Sequence, residues 1–127
     1  MIYGVGTDLI EIVRVERALA RFGERFARRI LCAPELERFR AHRQPAAYLA
    51  KRFAAKEAFT KALGTGIHAP ANWHGVWVNN LRSGRPVLEF SEALAALLKA
   101  RGITRAHLTI TDERAMACAT VILECDD

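Results

Sequence analysis

Apolar residues along this chain recur at two spacings, and each change of spacing marks a new element. Residues 2 to 8 read as a short strand, in which Gly4 and Gly6 mark close approach of another backbone or a ligand. From Ile12 the repeat becomes helical, with Ile12, Val15, Leu19, Phe22, Phe26 and Ile30 at steps of three and four. Gly23 breaks this stretch into two helices, and Pro34 to Ala41 predicts a third with proline near its first turn. A longer helix follows Pro45 through AAYLAKRFAAKEAFTKAL, rich in strong helix formers and stopped by Gly64. Residues 64 to 75 read as a loop. Val76 to Leu81 and Val87 to Phe90 are strands around the turn Arg82 to Pro86. Ser91 caps a helix through Lys99 that turns Leu94, Leu97 and Leu98 inward. Arg105 to Thr111 and Ala115 to Glu124 alternate as a closing hairpin around Asp112-Glu113-Arg114. Helices mixed with hairpins predict an α+β class: a largely antiparallel sheet packed with a long central helix.

Length and composition bound this picture. The 127 residues suffice for a single domain, 1–127, and 51% hydrophobic with 26% charged residues is an ordinary globular balance. No run of about 18 apolar residues spans a membrane, and the N-terminus lacks the features of a secretory signal. Cys32, Cys118 and Cys125 are odd in number and have no CxxC spacing. They argue against a disulfide framework or zinc knuckle and for a reducing compartment, so a cytoplasmic protein is expected. The net charge of +5 points to an acidic partner, whether nucleic acid, anionic membrane, phosphorylated metabolite or acidic protein.

Candidate chemistry narrows the choice. Glu57 and Lys61 stand one helical turn apart and make either a surface ion pair or the end of a ridge running Leu49, Phe53, Glu57, Lys61 into an enclosed site. Asp8 either caps the next helix or joins Glu57 as a second carboxylate. Two carboxylates, completed by water and a substrate phosphate, are a common way to hold Mg²⁺. Gly64-Thr65-Gly66-Ile67-His68-Ala69 follows a helix rather than a strand, the wrong context for a dinucleotide turn. His107, Thr109 and Thr111 share one strand face, which suits either a solvated or an anion-contacting surface. Arg14, Arg17, Arg21, Arg25 and Arg28 recur beside the apolar stripe, diluted by Glu11, Glu16 and Glu24. They form either a solvated face or a docking surface for an acidic protein or phosphates.

The segments GVGTDLIEIVRVERA, LAKRFAAKEAFTKALGTGI, SGRP and HLTITDERAMACATVIL resemble the holo-acyl carrier protein synthase family, in family order and over nearly the whole chain. The resemblance implies the 4'-phosphopantetheinyl transferase fold, in the short class that works as a homotrimer with active sites between subunits. It implies Mg²⁺ on the residues matching Asp8 and Glu57, and a coenzyme A diphosphate met by Lys61. It further implies that Arg52, Gly64, Pro86, His107 and Thr109 line the coenzyme site, and that Arg14, Arg21, Phe22, Arg25 and Arg28 face an acidic acyl carrier protein. The implied activity transfers phosphopantetheine from coenzyme A to a carrier serine, in support of fatty acid synthesis. Met116 and Asp112 depart from the tyrosine and histidine that many relatives carry. A nucleic-acid-binding domain and a catalytically silent trimeric module are the rival readings. The first accounts for the basic charge but not for Asp8, Glu57 and Lys61.

Overall fold

A computed structural model, describing residues 1–126, orders the elements as β1 (Ile2–Glu11), α1 (Ile12–Phe22), α2 (Glu24–Ile30), α3 (Ala33–Ala41), α4 (Pro45–Leu63), β2 (Val76–Asn80), β3 (Pro86–Phe90), α5 (Glu92–Ala100), β4 (Ile103–Asp112) and β5 (Met116–Cys125). The α+β class with a long central helix is as expected, and every strand pairing is antiparallel. The strands divide, however, into a three-stranded sheet β1-β5-β4 and a separate ribbon β2-β3.

α4 lies across the inner face of the three-stranded sheet. Ala50, Ala54, Ala58 and Ala62 recur every four residues, are at most 4% exposed, and give the helix a thin edge. The sheet answers with its own small residues. A Cβ built on Gly4 would stand 1.9 Å from the Ala62 carbonyl oxygen, and one on Gly6 would stand 2.0 Å from that of Ala58. Only glycine permits this approach of strand to helix. Ala117, Ala119, Val121 and Leu123 of β5, all essentially buried, complete the inner face.

The helix ends obey their local chemistry. Ser91 Oγ accepts the Leu94 amide at 3.2 Å, as its capping position predicts. Gly64 closes α4 in a left-handed conformation, φ 88°, and returns its amide to the Thr60 carbonyl. Arg101 adds a bond to the Leu63 carbonyl at 3.2 Å. β1 runs three residues beyond Asp8, because Leu9, Ile10 and Glu11 continue the ladder against Cys118, Ala117 and Met116. Asp8 therefore sits within a strand and does not cap α1, whose N-cap is Glu11 without a side-chain bond.

Candidate active site

Alternation along β1 sends Gly4, Gly6, Asp8 and Ile10 toward α4, and Val5, Thr7 and Leu9 outward. The two glycines draw α4 in, so Asp8 arrives beside the last turns of that helix. Lys61 Nζ donates to Asp8 Oδ1 at 3.1 Å and to the Thr7 carbonyl at 3.0 Å. The cation one turn from Glu57 is therefore engaged by a residue 53 positions away.

Glu57 lies in the same cleft. Burial is the main influence that holds its carboxyl above the ordinary carboxylate range. The negative charge of Asp8 pushes in the same direction, and Lys61 opposes it. The cleft encloses about 480 Å³, with Asp8, Glu57, Lys61 and Arg14 as its polar groups and Val15, Ala18, Phe26 and Phe53 among its apolar walls. A larger hollow of about 670 Å³ near the start of α4 sets Glu16, Asp112 and Glu113 against Arg114 alone. That charge balance is wrong for a phosphate, so the smaller cleft is the candidate.

Two converging carboxylates suit a hard divalent cation that keeps water and takes substrate oxygens. Among the described residues no cluster of three or more His, Cys, Asp or Glu side chains could hold a metal. The donor set thus fits Mg²⁺ better than a closed protein cage of the zinc type.

The other candidates for the coenzyme site lie off this cleft. Arg52 is buried, 6% exposed, with its guanidinium over the Tyr48 ring at 4.4 Å and bonded to Asn80 Oδ1 at 2.8 Å. Its Nε has no partner, nor has the Tyr48 hydroxyl. Pro86 pairs with Asn80 at the start of β3, close to Arg52, and Gly64 terminates α4. His107 and Thr109 stand exposed on the outer face of β4, opposite to Leu108 and Ile110, as the alternation predicts. His107 Nε2 meets Glu124 Oε2 at 2.6 Å, and Arg105 approaches the same oxygen at 3.3 Å. Glu124 is correspondingly held below its usual range, chiefly by the hydrogen bond with His107.

Sequence reasoning did not single out Glu124, Asn80, Phe26, Glu35 or Lys56. Cross-strand register supplies Glu124 and chain folding supplies the others, neither of which spacing along the sequence reveals.

Arg14, Arg21, Phe22, Arg25 and Arg28 are exposed along α1 and α2, with the Arg21 guanidinium 5.1 Å from the centre of the Phe22 ring. Among the described residues none of these four arginines lies within ion-pair distance of a carboxylate. Arg14 also borders the cleft, so the basic face is continuous with the candidate site.

A three-stranded antiparallel sheet crossed by a helix, with Asp8 and Glu57 lining one cleft, coincides with a recognisable class. Residues 4–119 match the sequence model of the 4'-phosphopantetheinyl transferase superfamily, and the chain belongs to that family. Within it, the chain is 50% identical over 124 residues to the holo-[acyl-carrier-protein] synthase of Nitrosomonas europaea, covering 98% of this chain and 99% of that one. The crystal structure of the holo-[acyl-carrier-protein] synthase of Neisseria meningitidis superposes with a TM-score of 0.95 at 42% identity, covering 98% of this chain and 99% of that one. The synthase of Bacillus anthracis, solved in complex with CoA (3',5'-ADP), superposes at 0.83 with 34% identity and 99% of both chains covered.

Proposed function

We propose that this chain is a holo-acyl carrier protein synthase, moving the phosphopantetheine arm of coenzyme A to a serine of an acidic acyl carrier protein. The convergence of Asp8, Glu57 and Lys61 in one cleft beside an unpaired arginine face carries the reading. Relatives of that name match the chain over 98% of its length. The carrier's serine oxygen attacks the β-phosphorus of coenzyme A, and adenosine 3',5'-bisphosphate departs.

Asp8 and Glu57 would hold Mg²⁺, which when bound supplies positive charge against the phosphates and their developing transition-state charge. Lys61 is long and half-exposed, able to leave Asp8 for a phosphate oxygen. The serine proton passes to the ionised Glu57 carboxylate or to water in the cleft. Phe26, Phe53 and Val15 form an apolar wall beside these charges.

The coenzyme contacts of Arg52, Gly64, Pro86, His107 and Thr109 belong to the same proposal. Within one chain these residues are apart from the cleft, which favours sites completed by a neighbouring copy in a homotrimer. The outer sheet face supports such an assembly. Val5 and Leu9 are 57% and 62% exposed there, in register with Ile122 and Cys118, and Thr7 Oγ1 meets Thr120 Oγ1 at 3.0 Å. Residues 1–127 are read as one catalytic domain, and the free thiols agree with a cytoplasmic location. No helix among the described residues is long and apolar enough to cross a membrane.

The test is mass spectrometry of an apo carrier protein incubated with this chain, coenzyme A and Mg²⁺. A gain of one phosphopantetheine, abolished by chelator, is expected. No gain on any acyl carrier protein would overturn the reading.

A further inference from the structure

Lys56, the residue before Glu57, points away from the cleft and is entirely buried. Its ammonium donates to the Ile30 carbonyl at 2.6 Å, to Glu35 Oε1 at 2.7 Å and to the Trp73 carbonyl at 2.8 Å. All three of its donors are thereby used. Glu35 is 1% exposed and accepts the Cys32 amide on Oε1 and the Val78 amide on Oε2, each at 2.9 Å. One charged pair therefore gathers the end of α2, the start of α3, the loop before β2, and β2 itself onto α4.

Two of these attachments continue to the cleft. The Trp73 ring stacks on Phe53 with centroids 5.1 Å apart, and Phe53 is a wall of the cleft. Ile30 ends the helix on which Phe26, another wall, lies one turn earlier. A third attachment is covalent, because fixing Lys56 fixes the backbone that presents Glu57. Burying two full charges is a poor way to gain stability, since well-packed apolar residues usually do as well. In some proteins buried polar groups are kept instead because they fix one arrangement of the elements they join.

We propose that Lys56 and Glu35 are positioning residues that set the rotation of α4, and with it the aim of the Glu57 carboxylate. This rests on the reading of Glu57 given above. Lys56 acts through the backbone and cleft walls and does not touch the substrate.

Two variants test it. Glu35→Gln keeps the side-chain volume but turns one bond to Val78 into a donor facing a donor. Lys56→Met removes the ammonium. In protein that remains folded by circular dichroism, each variant is expected to weaken Mn²⁺ binding, followed by electron paramagnetic resonance, about tenfold or more. Turnover should fall comparably, while KM for coenzyme A and for the carrier stays within about twofold, the split expected when a misaimed carboxylate costs transition-state rather than ground-state interactions. If a folded variant keeps wild-type turnover and Mn²⁺ affinity, the proposal fails. It fails equally if both variants unfold, because the pair would then be structural only. Glu57→Gln is the control. Should that variant retain turnover and Mn²⁺ affinity, the site assignment is at fault, whereas impaired Glu57→Gln beside unimpaired pair variants rejects the positioning role alone.

Discussion

Gly6 packs against Ala58 so closely that a methyl group on it would lie 2.0 Å from the Ala58 carbonyl oxygen and 2.6 Å from the Ala62 amide nitrogen. Neither atom can move without moving α4. Gly6→Ala is expected to lower stability by about 3 kcal/mol, the upper part of the range for overpacking. It should also reduce turnover in the folded fraction, because Asp8 lies two residues further along the displaced strand. Chemical denaturation paired with activity per folded molecule checks both effects.

Asp8→Ala and Glu57→Gln are each expected to lower turnover by roughly 10²-fold or more while leaving the fold intact, as loss of preorganised electrostatic groups does. Steady-state rates beside circular dichroism spectra measure this. Wild-type rates in either variant would remove the carboxylate pair from the chemistry.

Glu57 carries a second consequence, for stability against pH. Its folded-state pKa is raised, so the folded form prefers the protonated carboxyl, and stability falls as pH climbs through the raised value. Glu57→Gln mimics the protonated form. In chelator-treated protein it should therefore raise the melting temperature modestly at neutral pH. The gain should vanish below the unfolded-state pKa, where wild-type Glu57 is itself protonated. Thermal melts across pH 4 to 8, where the unfolded carboxylate's ordinary titration lies at the acid end, decide it.

Reversal of Arg21 and Arg25 to glutamate should raise KM for the carrier on the order of tenfold and weaken its salt dependence, with coenzyme A affinity unchanged. Arg14 is excluded because it borders the cleft and would mix the two readouts. Loss confined to coenzyme A binding would argue against a docking face.

Much of the architecture was legible because apolar spacing reports burial directly. The break at Gly23, the start of α4 at Pro45 and the Ser91 cap all lie where their residue types predict. The sequence misled at β1, where Leu9 to Glu11 run straight into the helical repeat and no turn residue marks the join. Contacts distant in sequence were also hidden. Glu57 and Lys61 looked like partners at helical spacing, yet Lys61 bonds Asp8. Nothing in the spacing of Lys56 and Glu35 marks them as buried, and only the packing of α3 and β2 over α4 seals them from water. The division of the strands into two sheets was equally invisible, since hairpin signals say which strands pair but not which pairs join.

β1 bears Thr7 and Leu9 on its outer side and Asp8 between them on its inner side. If copies of the chain meet on that outer side, subunit contact and acid chemistry are separated by the thickness of one strand. Specific activity should then decline on dilution below the concentration at which copies separate. A small apolar compound wedged between copies would silence the enzyme while resembling neither the coenzyme nor the carrier.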